Sequence, residues 1–155
     1  MSDPSVGLAL DAVRLEKLHR MFAAQPFMGL LGVVLVRADH GHCIMELPYR
    51  PDLSQQNGFF HGGVIGTLAD NAGGFAGASV MPLDSGVLTV EYKLNIFAPA
   101  DGDTLIAKGH VLKHGKTLVI TRVDLFTRRD GHDKPVATAL QTLMVMQPRP
   151  ALAAS

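Results

Sequence analysis

Residues 55–80, QQNGFFHGGVIGTLADNAGGFAGASV, constrain the fold of this chain more than any other stretch. Apolar side chains recur at helical spacing through Val64, Ile65, Leu68, Ala69, Ala72, Phe75 and Ala76. Yet Gly63, Gly66, Gly73, Gly74 and Gly77 each cost roughly 1 kcal/mol against alanine in a helix interior. Helicity so weakly favoured locally has to come from burial, and glycine leaves room for another backbone to pass close by. The expectation is an apolar helix wrapped by a sheet. In its third turn stands Asp70, too far along to cap the helix and set between Ala69 and Asn71 in apolar company. A mostly buried carboxylate is expensive unless it is paired or put to use. Asp70 is therefore the first candidate for chemistry.

The flanking sequence supplies the sheet. Residues 11–24 carry Val13, Leu15, Leu18, Met21 and Phe22 with charges between them, an amphipathic helix that ends before Pro26. Residues 26–32 read as a turn-like connector. Two strand-like runs, 31–37 and 42–48, are joined by Asp39-His40-Gly41, a hairpin signal. A polar loop over 49–60 leads into the glycine-rich helix. Beyond Met81-Pro82 the runs 87–97, 104–113, 117–128 and 134–146 are β-rich. PADGD, HGK and RRDGHD separate them, the chemistry of tight antiparallel turns. The order is helix, two strands, buried helix, then four strands in a meander. That is an α+β architecture, and 155 residues make it one domain with a helix at about 11–24 and a core over about 30–147. The tail PRPALAAS is expected to fray.

Composition excludes several classes of function. Lys plus Arg and Asp plus Glu balance at 14 each, so no basic field is present to hold nucleic acid. No apolar run reaches the ~18 residues that span a bilayer, and no early basic cluster precedes an apolar stretch as in a secretory signal. The lone cysteine, Cys43, rules out an internal disulfide and suits a reducing cytoplasm. Asp39-His40-Gly41-His42-Cys43 has metal-ligand chemistry, but the glycine marks a turn and no second cluster has ligand spacing. No metal or cofactor is expected. Neither a G-x-S-x-G elbow nor a dinucleotide or phosphate loop occurs. With no net charge and 47% hydrophobic residues, the chain is expected to hide surface by self-association.

His61-Gly62-Gly63 follows the polar loop, Gly58 lies three positions before the histidine and Asp70 nine after it, and the first long strand runs into Ala98-Pro99-Ala100. Together these closely resemble the hotdog-fold acyl-CoA thioesterases, nearest to the phenylacetate-pathway branch, over about residues 30–147. The resemblance implies a sheet curled round the central helix and two subunits paired edge to edge. The active site then lies between subunits, with the His-Gly-Gly turn from one chain and the acid from the other. A dimer of dimers is common in the family. By position, Gly62 would give its N–H to the thioester carbonyl beside Gly63, and His61 would orient the turn. Asp70, where related branches carry Glu, would be the base or nucleophile. Gln55, six residues before the histidine, would hold the water or the acyl carbonyl, with Asn57 close enough to substitute. Thr89, ten residues before the proline, would hold the attacking water. The turn Lys113-His114-Gly115-Lys116 falls where coenzyme A phosphates rest, and Arg128 and Arg129 would extend a basic rim. One Glu-using branch places Thr four positions after the acid; Gly74 stands there instead.

Chemistry supports these roles independently. N–H groups in the first turn of a helix are unpaired and sit at the positive end of its dipole, where an oxyanion can be stabilised. A thiolate leaves readily, so a strong general acid is dispensable. An aspartate can activate water or attack the carbonyl to give a mixed anhydride. Phe59, Phe60, Phe75, Met81 and Met28 are candidates to line an apolar pocket for an aromatic or medium-chain acyl group. Two other readings compete. One is a module that binds acyl-CoA without turning it over. The other is a hydratase or dehydratase, whose His or Asp/His motifs this chain lacks.

Overall fold

Asp11 accepts the N–H of Arg14 at 2.8 Å and so starts the first helix, α1 (Ala12–Ala23). The structure, a computed structural model, describes residues 7–148, so the tail beyond them lies outside the described residues. After α1 come α2 (Pro26–Leu31), β1 (Val34–Asp39), β2 (His42–Pro48), a 3-10 turn (Pro51–Leu53) and α3 (Gly62–Ala78). Four strands follow: β3 (Gly86–Ile96), β4 (Thr104–His114), β5 (Leu118–Arg129) and β6 (His132–Met146). They form one sheet in the order β1-β2-β4-β5-β6-β3, every neighbouring pair antiparallel.

The expected α+β architecture is present, with α3 lying across one face of the sheet. Ile65, Leu68, Ala69, Ala72, Phe75 and Ala76 of the helix are buried against Met45, Leu47, Leu105, Ala107, Val123 and Leu125 of the strands. The helix comes close enough that backbone meets backbone. A β-carbon on Gly109 of β4 would lie 2.6 Å from the Ala72 carbonyl oxygen. Glycine is required there by the approach itself. Toward its C-terminal half α3 also meets α1, through an edge-to-face contact of Phe22 with Phe75 at 5.9 Å. Lys17 of α1 donates to the Ser85 carbonyl (2.8 Å) and ties down the loop that follows α3.

Two expectations fail for identifiable reasons. The 26–32 connector is a helix: Pro26 occupies its first turn, Gly32 closes it with φ +82°, and Arg50 donates to the Leu31 carbonyl at 3.1 Å. Six residues are too few to show a helical period. Nor do the last four strands form a simple meander. β4, β5 and β6 do, but β3 lies beyond β6 at the far edge, so PADGD is a crossover and not a hairpin turn. Its backbone is held along the way. Phe97 donates to the Val136 carbonyl (3.0 Å), Asp103 to the Arg128 carbonyl (2.8 Å), and Ala100 accepts from Phe60 N–H (3.0 Å). The edge strand is bare: nine of the eleven residues of β3 are exposed, on both faces. The true hairpins lie elsewhere. Asp130-Gly131 turns β5 into β6 with both φ positive, 51° and 75°, His40-Gly41 joins β1 to β2, and the HGK turn joins β4 to β5 as expected. No helix among the described residues is long and apolar enough to cross a membrane.

The close approach makes a stability prediction. Gly109→Ala presses a methyl group onto the α3 backbone and should destabilise the fold by about 1–3 kcal/mol. Gly74→Ala meets nothing within 4 Å and should be neutral or stabilising by up to about 1 kcal/mol. Urea denaturation at matched protein concentration checks both; equal effects would contradict the packing.

Candidate active site

His61 is the N-cap of α3, its Nδ1 accepting the Gly63 N–H at 2.9 Å. That bond places the neutral ring's proton on Nε2 and makes the histidine a structural acceptor. Gly63, expected in the substrate's path, thus gives its N–H to the cap. The Gly62 N–H, one residue earlier, has no acceptor among the described residues. It points out of the helix end as a donor without a partner. The preceding loop is braced so that the helix begins there: His61 N–H donates to the Leu53 carbonyl (2.9 Å), and Ser54 bridges Phe60.

Within that loop Gln55 is engaged by its own turn. Its N–H donates to the Phe59 carbonyl (2.9 Å), its carbonyl accepts from Gly58 (2.9 Å), and its side-chain oxygen accepts from the Asn57 N–H. Gly58 makes the turn with φ +79°. The Asn57 side chain is exposed at the tip.

Asp70 lies two turns along α3. Sequence reasoning expected it mostly buried; it is half-buried, because its face of the helix borders a groove of about 480 Å³. The segment from Ala24 to Met28 forms one wall of the groove, Thr67, Asp70 and Asn71 the other, and Tyr92 of β3 contributes. The carboxylate is held on one oxygen. Oδ1 accepts from the Thr89 hydroxyl of β3 (2.7 Å) and from Nε2 of Gln141 on β6 (2.6 Å), while Oδ2 accepts from no described residue. Thr89 thus sends its proton to Asp70, where a grip on water was expected. Gln141 was missed altogether. Its signal was its parity: on β6 it shares the inward face with Ala137, Ala139, Leu143 and Val145, the one polar side chain in that row.

Other expected residues fall elsewhere. Phe60, Phe75 and Met81 are packed into the interior, each 2% exposed, and do not line the groove; Met28 does. Lys113 and Lys116 are exposed at the β4–β5 turn, which Gly115 closes by donating to the Leu118 carbonyl (2.9 Å). Arg128 and Arg129 do not join them within one chain, a correction to the single basic rim. They lie at the opposite end of β5, a distance of about 35 Å at strand rise. Both are already paired, Arg128 with Asp133 (2.7 Å) and Glu46 (3.0 Å), Arg129 with Asp101 (2.6 Å). No group of three or more His, Cys, Asp or Glu side chains among the described residues is placed to hold a metal ion.

The chain is similar to known proteins in sequence and in fold. A family model described as the thioesterase superfamily matches residues 57–132. Acyl-coenzyme A thioesterase 13 of Homo sapiens is 34% identical over 120 residues, 75% of this chain and 84% of that protein. A crystal structure of a thioesterase family protein from Silicibacter pomeroyi superposes with TM-score 0.85 at 36% identity, covering 86% of this chain and 98% of the other. The PaaI protein of the phenylacetic acid degradation operon of E. coli has the same fold, with TM-score 0.81 at 20% identity over 90% of this chain and 98% of its own.

One nucleophile is excluded on physical grounds. Burial pushes the Cys43 thiol well above its ordinary range, with the nearby Asp39 charge acting in the same direction. A maleimide reagent at pH 8 should leave Cys43 unlabelled in the native protein and label it after denaturation, as read by mass spectrometry. Rapid native labelling would contradict the burial.

Proposed function

The chain belongs to the thioesterase superfamily, and from that premise we propose that this thioester hydrolase cleaves acyl-CoA to a free acid and coenzyme A at a site built from two copies of itself. One observation carries the reading. The unpartnered Gly62 N–H and the Asp70 carboxylate stand on the same unbroken helix eight residues apart, about 12 Å at 1.5 Å per residue. An oxyanion donor must lie about 3 Å from the carbonyl oxygen, and the base within one water of the carbonyl carbon. A single chain therefore cannot bring both to one thioester, and two copies can. The bare edge of β3, which carries Thr89 beside Asp70, is the natural seam: a second β3 laid along it completes the strand pairing and covers its exposed side chains.

In this reading the acyl carbonyl oxygen accepts the Gly62 N–H of one copy. A water attacks the carbonyl carbon while Asp70 of the other takes its proton on Oδ2. The tetrahedral oxyanion collapses, the C–S bond breaks, and the coenzyme A thiolate leaves and takes up the proton that Asp70 received, which restores the carboxylate. The acid and the thiol are the products. The groove beside Asp70, with Pro26, Phe27 and Met28 in its wall, takes the acyl chain. Asn57 at the loop tip is free to meet the substrate, and Lys113 and Lys116 offer cations to the nucleotide phosphates. The reaction needs no metal or cofactor, and we place it in the cytoplasm, where an unpaired cysteine such as Cys43 is at home.

Asp70→Asn keeps the size of the side chain and the fold but removes the base. Turnover, followed as thiol release from a panel of CoA esters, should fall by about 10²–10⁴; retention of more than about a tenth would make Asp70 structural. In light scattering at micromolar concentration the protein should run as a dimer or larger, and the mass of one chain would refute the shared site.

A further inference from the structure

Gln141 is 1% exposed and Thr121 fully buried, side by side on the inner face of β5 and β6 beneath α3. A buried primary amide has to satisfy both its ends. Here Oε1 accepts the Thr121 hydroxyl (3.0 Å). Nε2 donates to Asp70 Oδ1 (2.6 Å) and to the Asp70 backbone carbonyl (3.0 Å), and lies 3.2 Å from Thr89 Oγ1. We propose that Gln141 is the positioning residue of the reaction: it grips Asp70 by side chain and backbone together, holds Oδ1 back, and presents Oδ2 to the water. This rests on the reading of Asp70 as the base.

Three features make the amide a positioning device. Its orientation is determined, because Asp70 offers it only acceptors, a carboxylate oxygen and a backbone carbonyl, which leaves Oε1 to accept the Thr121 hydroxyl. A flipped amide would set an acceptor against the carboxylate and strand that hydroxyl. Its two N–H groups match the two acceptors of Asp70, so one planar group fixes both the helix at that residue and the rotamer of its side chain. Thr89 adds its hydroxyl to the same oxygen (2.7 Å), so both donors converge on Oδ1 and neither on Oδ2. The sequence also keeps space for the amide. A β-carbon on Gly73, one turn beyond Asp70, would lie 1.9 Å from Gln141 Oε1 and 2.9 Å from Thr121 Oγ1. The helix thus carries an unfavourable glycine at the position where any side chain would evict the glutamine.

The test uses the intact oligomer, with kcat and KM from thiol release on the fastest ester of the panel and thermal melts to verify folding. Gln141→Met fills the same volume without a donor. It should lower kcat by about 10²-fold, as a misplaced catalytic group does, while KM stays within about threefold. Thr121→Val should lower kcat in the same way, and Thr121→Ser, which restores the hydroxyl, should return it. A folded Gln141→Met with kcat within about threefold of wild type, or one that changes KM alone, overturns the proposal. If Gln141→Met does not fold, the Thr121 pair decides, and a Val variant as active as the Ser variant overturns it. Asp70→Asn measured alongside separates the two claims. An inactive Asp70→Asn beside a fully active Gln141→Met removes only the role of Gln141. An active Asp70→Asn removes the base and its positioning residue together.

Discussion

The Ala72 carbonyl of the central helix sits against Gly109 of β4 with no side chain between them. A helix this near a sheet has to be lined with small residues, and α3 is: Ala69, Ala72, Gly73, Ala76 and Gly77 are all buried along it. The segment would be a poor helix in water, since its glycines favour the unfolded chain. Packing against the strands, with Phe22 of α1 against Phe75, makes it helical. In exchange, the sheet's inner face comes within hydrogen-bonding reach of side chains on the helix. Thr89, Thr121 and Gln141 reach Asp70 or one another because nothing bulkier keeps the layers apart.

The same rigidity sets what one chain can do alone. His61 caps the start of α3 and leaves the Gly62 N–H facing outward, while Asp70 stands two further turns along the helix, in our reading too far for one thioester to meet both. Both ends of the chemistry are fixed on one rod, so neither can move toward the other. An exposed β3 beside the carboxylate then has a meaning beyond an unfinished sheet. It is where a second copy would bring its own Gly62.

Much of this was legible in the sequence where local chemistry and long-range packing agree. The glycine-rich helix stood out because its apolar period and its poor propensity contradict each other, which only burial resolves. Asp70 stood out as an acid in apolar company. The hairpins at His40-Gly41 and Asp130-Gly131 were visible because their turns need positive φ. The position of β3 was not. Its alternation reads like that of any strand, and strand order is decided by which edges meet after collapse. α2 was missed because six residues carry no period, although Pro26 and Gly32 marked its two ends. Gln141 and Thr121 were missed for a different reason: each is an ordinary strand residue until the inward face of its strand is counted. On that count both fall among Val, Ala and Leu, where a polar group needs a partner.

The central claim is that one thioester is worked on by Gly62 of one copy and Asp70 of another, and subunit mixing tests it most directly. Gly62→Val blocks the helix end and has room for its first carbon, 3.5 Å from Ile96; Asp70→Asn removes the base. Each variant should be inactive alone. After exchange, verified by mass spectrometry of differently tagged chains, about half the dimers are mixed, each with one site carrying both defects and one carrying neither. Activity should then return to about a quarter of wild type. Verified mixed dimers that remain inactive would contradict the shared site, because every site would then draw both residues from a single chain.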